Sequence, residues 1–202
     1  MGERMKTIFL SASIPDPKRN PRFFETADVV AIGDAVHALC SVVLAAKDRL
    51  VFGGHPAIIP IVQRVAALLG RPKSVDLYLS RFFEDKFPPA WRQFENVVLT
   101  ERGRDLDHSI ALMRGRMLAE APFSAGVFIG GMEGIIDEWK LFRVHHRRAA
   151  AWPVPTTGAA ARVLFEDADV SGDRDHSRDE DLRTDRIYAR LFRRLLALGE
   201  AA

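Results

Sequence analysis

Residues 125–146 read AGVFIGGMEGIIDEWKLFRVHH, and their order decides the fold. Residues 125–129 are apolar throughout, which suits a strand covered on both faces. They run into Gly130-Gly131-Met132-Glu133-Gly134, and a helix is predicted over 135–146, with Trp139 and Phe142 read as its core face. A strand, a glycine turn and a helix in that order is the repeating unit of a parallel sheet.

The same unit recurs in both directions along the chain. Upstream, a strand over 6–14 (KTIFLSASI) ends in Ser11 and Ser13 and enters a loop with Pro15, Pro17 and Pro21. A helix is predicted over 26–47, where Val29, Ile32, Val36, Leu39 and Val43 share one face and Cys40 lies beside it. A strand over 50–52 ends in Gly53-Gly54-His55-Pro56, and a helix over 58–69 is closed by Gly70. Val75, Leu77 and Leu79 alternate with Asp76 and Tyr78 over 74–80, so this strand is expected near a sheet edge with one polar side, the others being central. Residues 96–100 give a fourth strand, before a helix over 106–121 with Leu106, Ile110, Met113 and Met117 as a core stripe. Residues 151–154 give a sixth strand, ending in Pro155-Thr156-Thr157-Gly158 before a short alanine-rich helix. The expected fold class is α/β: a Rossmann-like three-layer sandwich with a mainly parallel sheet of about six strands and helices on both faces.

A chain of 202 residues with 48% hydrophobic and 28% charged content suits one domain with an ordinary core. The core is assigned to 1–168, a charged solvated loop to 169–185, and a helix over 186–199 carries Tyr188, Leu191, Phe192 and Leu195 to dock on the sheet or on a second copy. With 29 basic and 27 acidic side chains the net charge is only +2, which argues against a nucleic-acid partner. The cluster Arg143, His145, His146, Arg147 and Arg148 reads as the polar end of a helix. The single cysteine excludes an internal disulfide, and no Cys/His cluster asks for a metal or other cofactor. The apolar run over 7–12 is too short for a membrane span, which needs ~20 residues. A cytoplasmic protein without a membrane partner is the expectation.

Open parallel sheets bind ligands beyond the carboxyl ends of their strands, and glycine turns that open helices offer free N–H groups to phosphate. Three such turns, at Gly53-Gly54, at Gly130-Gly131-Met132-Glu133-Gly134 and at Thr156-Thr157-Gly158, are expected to converge with Ser11 and Ser13 on one nucleotide-sized cleft. One turn alone is as readily a device for close packing. A side chain at Gly131 is expected to block backbone approach to a phosphate. Arg81 and Arg102, after the third and fourth strands, either reach that phosphate or remain solvated. His55 either contacts ribose or phosphate or caps the next helix. The dinucleotide fingerprint GxGxxG is absent, which argues against an NAD dehydrogenase.

FLSASIP (9–15), VFGGHPAIIPIV (51–62), FIGGMEGIIDEW (128–139) and PTTGAAA (155–161) together resemble the SLOG superfamily, and specifically its branch in bacterial defence and nucleotide-signalling operons. The resemblance spans most of the chain up to Ala161. It implies a pocket for a nucleotide-derived ligand of ADP-ribose, cyclic or nucleotide-sugar type, a homodimer or homotetramer, and an operon-encoded effector. It also leaves open a hydrolase of nucleotide N-glycosidic bonds, as in the phosphoribohydrolase members. Their PGGxGTxxE motif is altered here, with no proline or threonine and one extra residue, which weakens that alternative. Were the bond cleaved, Glu133 and Glu138 would be the catalytic carboxylates, Glu138 facing inward from the first helical turn. The helix dipole explains carboxylates there equally well.

Overall fold

Six short strands lie side by side in one parallel sheet in a computed structural model of the chain, which describes residues 5–119, 122–167 and 180–198. They are β1 (Thr7–Ser13), β2 (Arg49–Gly53), β3 (Val75–Ser80), β4 (Asn96–Thr100), β5 (Ala125–Gly130) and β6 (Ala150–Val154). Their order across the sheet is β4-β3-β2-β1-β5-β6, and every neighbouring pair is parallel. The chain steps outward from β1 to β4, then returns to the far side of β1, so strand order reverses between β1 and β5.

The helices are α1 (Pro21–Thr26), α2 (Val29–Ala45), α3 (Ile59–Leu68), α4 (Leu106–Ala119), α5 (Glu133–His145), α6 (Ala159–Glu166), α7 (Glu180–Thr184) and α8 (Tyr188–Leu198). Side chains alternate across a strand, so β1 sends Ile8 and Leu10 to one face and Phe9 to the other. On the first face they meet Ile32, Val36 and Leu39 of α2, Val62 of α3, and Leu191, Phe192 and Leu195 of α8. On the second, Phe9 stacks on Phe142 of α5 with ring centroids 5.5 Å apart, and Trp139 meets Phe128 of β5 edge-on at 4.9 Å. The three-layer α/β sandwich read from the sequence is the observed architecture. No described helix is long and apolar enough to cross a membrane.

Several boundaries differ from expectation for local reasons. The helix predicted over 26–47 is α2, and the proline-rich loop before it holds a further short helix, α1; Asn20 and Asp28 accept a backbone N–H from Arg22 and Ala31 and so cap α1 and α2 separately. β3, expected near an edge, is second from it, while β4 and β6, expected to be central, are the edges. The expected polar side of β3 is buried, since the Arg49 guanidinium grips Asp76 with two hydrogen bonds, one of them 2.6 Å from Nη2 to Oδ1. Part of the expected charged loop is helical in α7; residues 168–179 lie outside the described ones, as do 120–121 at the end of the helix predicted over 106–121. The terminal helix, expected on the sheet or on a second copy, packs on α2 and buries Tyr188, Leu191, Phe192 and Leu195.

Cys40 is fully buried among the α2 core residues, and desolvation pushes its thiol up to about 12. A disulfide reagent at pH 8 should therefore leave native protein unlabelled and react stoichiometrically once denaturant is added. Rapid labelling of the native chain would contradict this packing.

Candidate functional site

Beyond the carboxyl ends of β1, β2, β3 and β5 lies a cleft of about 200 Å³. Gly130 and Gly131, at φ +58° and +79°, turn the chain off β5 and into α5 beneath it, but neither they nor Ser11 line it, contrary to expectation. Only glycine adopts two such angles in succession without strain. The turn is clamped from the next strand: the buried Thr157 hydroxyl accepts the Gly130 N–H at 3.0 Å and donates to the Val154 carbonyl at 2.6 Å. Gly131 in turn accepts the Ala160 N–H at 3.1 Å. The N-terminus of α5 is thereby set beside the end of β1, where Ser13 pairs with Gly130 in the sheet register.

Ser11 and Ser13 follow Phe9 on the face of β1 that meets α5. The buried Ser11 hydroxyl donates to Oε2 of Glu138 at 2.6 Å. Oε1 of Glu138 receives Nε of Arg114 at 3.2 Å, while the remaining nitrogens of Arg114 donate to Asp137 and to the Gly134 carbonyl, each at 3.1 Å. Arg114 and Glu138 are only 15% and 12% exposed, so this is a partly desolvated pair at the cleft wall. Removing either partner leaves a charge uncompensated, the costly way to break such a pair. Glu138 sits in the second turn of α5, not the first, because α5 begins at Glu133. A dipole preference of the first turn therefore does not account for it.

Ser13, Gly53, Gly54, His55, Met132, Gly134 and Glu138 line the cleft together. The His55 side chain does not cap α3, which starts after Ile58: its Nδ1 accepts the Ala57 N–H at 3.3 Å in the turn before the helix, and its carbonyl accepts from Ile58 and Ile59. Burial, with a smaller contribution from the nearby Arg19 charge, lowers its imidazole to about 4, so it is neutral at physiological pH. Gly54 is required by packing, since a Cβ there would stand 2.2 Å from Leu79 Cδ2.

The third expected turn lies elsewhere. Thr156 and Gly158 line a separate cavity of about 270 Å³ that shares no residue with the cleft. There Thr156 bonds the Tyr188 hydroxyl at 3.2 Å, and Gly158, at φ +72°, fits so tightly that a Cβ would meet the Thr26 carbonyl oxygen. Arg81 pairs with Glu84 and Glu101, and Arg102 donates to the Arg81 carbonyl at 3.0 Å; neither lines the cleft. Glu133 accepts from Asn20 and lines an adjoining groove of about 730 Å³. Cleft and groove meet at Arg19, Ile110, Arg114 and Gly134.

Four cleft residues went unread in the sequence: Arg19, Phe83, Phe87 and Arg114. Arg19 lies in the proline-rich loop after β1, and Arg114 follows Ile110 by one helical turn, so loop position and stripe spacing were the available signals. Met113, expected in the core, lines the cleft, whereas Met117 is fully buried. Among the described residues no group of three or more His, Cys, Asp or Glu is placed to hold a metal ion.

Two outcomes follow from this geometry. At Gly131 a Cβ would stand 1.9 Å from Ile135 Cγ1, at a left-handed φ. Gly131→Val should therefore destabilise the fold by about 3–5 kcal/mol in urea unfolding, rather than only obstruct a ligand as the sequence suggested. His55, held near 4 against an ordinary 6.5, binds its proton more readily in the unfolded chain. Its contribution is intact above pH 6.5 and is lost as pH falls toward 4, by about 3 kcal/mol in all. Wild type should lose that much more stability than His55→Gln between pH 7.5 and 4; equal losses would contradict the burial of a neutral imidazole.

A family model described as the SLOG cluster3 family matches residues 22–196. The match starts after β1 and continues through α8, so it reaches well past Ala161, where the sequence motifs ended. No curated protein matches the chain. The family points to a nucleotide-related function. With glycine turns at the carboxyl edge of a parallel sheet and a match over most of its length, the chain belongs to the SLOG cluster3 family.

Proposed function

We propose that the chain binds a nucleotide-derived ligand, of ADP-ribose, cyclic or nucleotide-sugar type, in the cleft beside the β1–β5 reversal, as the sensing module of a signalling or defence system. The observation that carries this reading is the joint presence there of the uncapped N-terminus of α5 and two arginines, Arg19 and Arg114. Met132 gives α5 no side-chain cap, so the first backbone N–H groups and the helix dipole favour an anion. Arg19 is exposed and makes no ion pair among the described residues, which leaves its guanidinium available for a phosphate. Such a site suits one or two phosphates joined to a sugar.

The alternative is hydrolysis of a nucleotide N-glycosidic bond. It is favoured by one feature, the Glu138 carboxylate at the cleft wall, where it could stabilise an oxocarbenium-like transition state. Both Glu138 oxygens are already engaged, by Ser11 and Arg114, which suits a positioning role better than proton transfer.

A thermal-shift series with AMP, ADP, ADP-ribose and its cyclic isomers should give at least one stabilising ligand, because a ligand that binds only the native state raises the melting temperature. Arg19→Ala should weaken that ligand about tenfold or more without changing the unfolding midpoint of the free protein. A ligand recovered intact supports sensing. Release of free base that disappears in Glu138→Gln would establish the hydrolase instead, and the absence of any shift would count against both readings.

A further inference from the structure

The segment joining β3 to β4, residues 81–95, carries Phe82 and Phe83 in one 3-10 turn (Arg81–Lys86), Trp91 in a second (Pro89–Gln93), Phe87 between the two and Phe94 after them. Of these, Phe83 and Phe87 line the cleft, whereas Phe82 and Trp91 do not. Phe82 packs edge-on against Phe83 with centroids 5.2 Å apart, and Trp91 packs edge-on against Phe87 at 6.0 Å. Trp91 and Phe87 also lean on the main core, and the adjacent prolines Pro88 and Pro89 restrict the backbone between the turns. Two rings held by neighbours at the wall of an open cleft are a prepared apolar surface, which costs a ligand little ordering.

The cleft is divided along its length. Arg19 and Arg114 stand at the junction with the neighbouring groove, while Phe83 and Phe87 belong to the cleft alone. At about 200 Å³ the cleft is smaller than most ligand pockets, which span roughly 300–1,000 Å³, so it suits one flat ring and its sugar. The rest of a larger ligand would pass over the arginines into the groove.

Resting on the nucleotide reading above, we infer that Phe83 and Phe87 are the base-selecting wall of the site. They stack a planar nucleobase within the cleft, while Arg19 and Arg114, at its junction with the groove, take the phosphate. This fixes the direction of the ligand, base beside the β3–β4 segment and phosphate beside α4 and α5. It also makes the aromatic ring, and not the sugar phosphate alone, a determinant of recognition.

The test is calorimetric titration of the full chain with AMP and with ribose 5-phosphate, for wild type, Phe83→Leu and Phe87→Leu. Leucine keeps an apolar side chain but removes the stacking face. Stacking losses on this scale correspond to about tenfold to hundredfold in affinity. The expected result is that AMP binds wild type more tightly than ribose 5-phosphate does, and that each leucine variant loses that advantage while ribose 5-phosphate binding is unchanged. Phe87 also contacts the core, so Phe83→Leu carries the test should Phe87→Leu lower the melting temperature. Unaltered AMP affinity in both variants, or equal affinity of wild type for the two compounds, would overturn the base wall while leaving a phosphate site standing. Binding of neither compound by wild type would overturn the nucleotide reading together with this inference.

Discussion

The turn at Gly130-Gly131, clamped by the Thr157 hydroxyl, is the constraint on which the site depends. Two consecutive left-handed residues swing the chain off β5, and Thr157 ties that bend to the end of β6. Without it α5 would not start beside Ser13, and neither its free N–H groups nor Glu138 would face the end of β1. The glycines are therefore structural before they are functional. A side chain at Gly130 would collide with Ile32 and one at Gly131 with Ile135, both part of the packed interior.

Charge within the cleft is arranged on that frame. Arg114 holds the first two turns of α5 against α4 through Gly134, Asp137 and Glu138, and Ser11 anchors the same carboxylate from β1. The wall is thus fixed before any ligand arrives, which reduces the ordering cost of binding. Arg19 approaches from a loop and carries no such restraint among the described residues, so the two cations differ in kind. Phe83 and Phe87 of the β3–β4 segment line the same cleft but not the groove that both arginines border. Cations and flat apolar rings suit the two chemistries a nucleotide presents.

The fold was legible because the strands are short and mostly apolar and, β3 apart, each leads into a helix. Strand positions within the sheet were not, since Asp76 looks like an exposed residue until the Arg49 fork that satisfies it is known, and that pairing joins residues from different strands. The site was half legible. Ser13, Gly53, Gly54, His55, Gly134 and Glu138 could be placed because they end strands or lie in the turns and the helix that follow them. Thr156 and Gly158 also follow a strand, yet they line a separate cavity with α6 and α7, and alternation along one strand could not reveal which cavity they line. Arg114, Phe83 and Phe87 were hidden for the opposite reason: they lie within a helix and a turn segment whose approach to the cleft is a tertiary matter.

Hydrogen exchange read peptide by peptide, with and without saturating ADP, tests the central claim most directly, because a bound ligand slows opening of the backbone it touches. The account predicts added protection at 53–58, 83–87 and 130–136 together, with residues 156–162 unchanged. Protection confined to 156–162, beside the separate cavity of Thr156 and Gly158, would contradict it and move the ligand there.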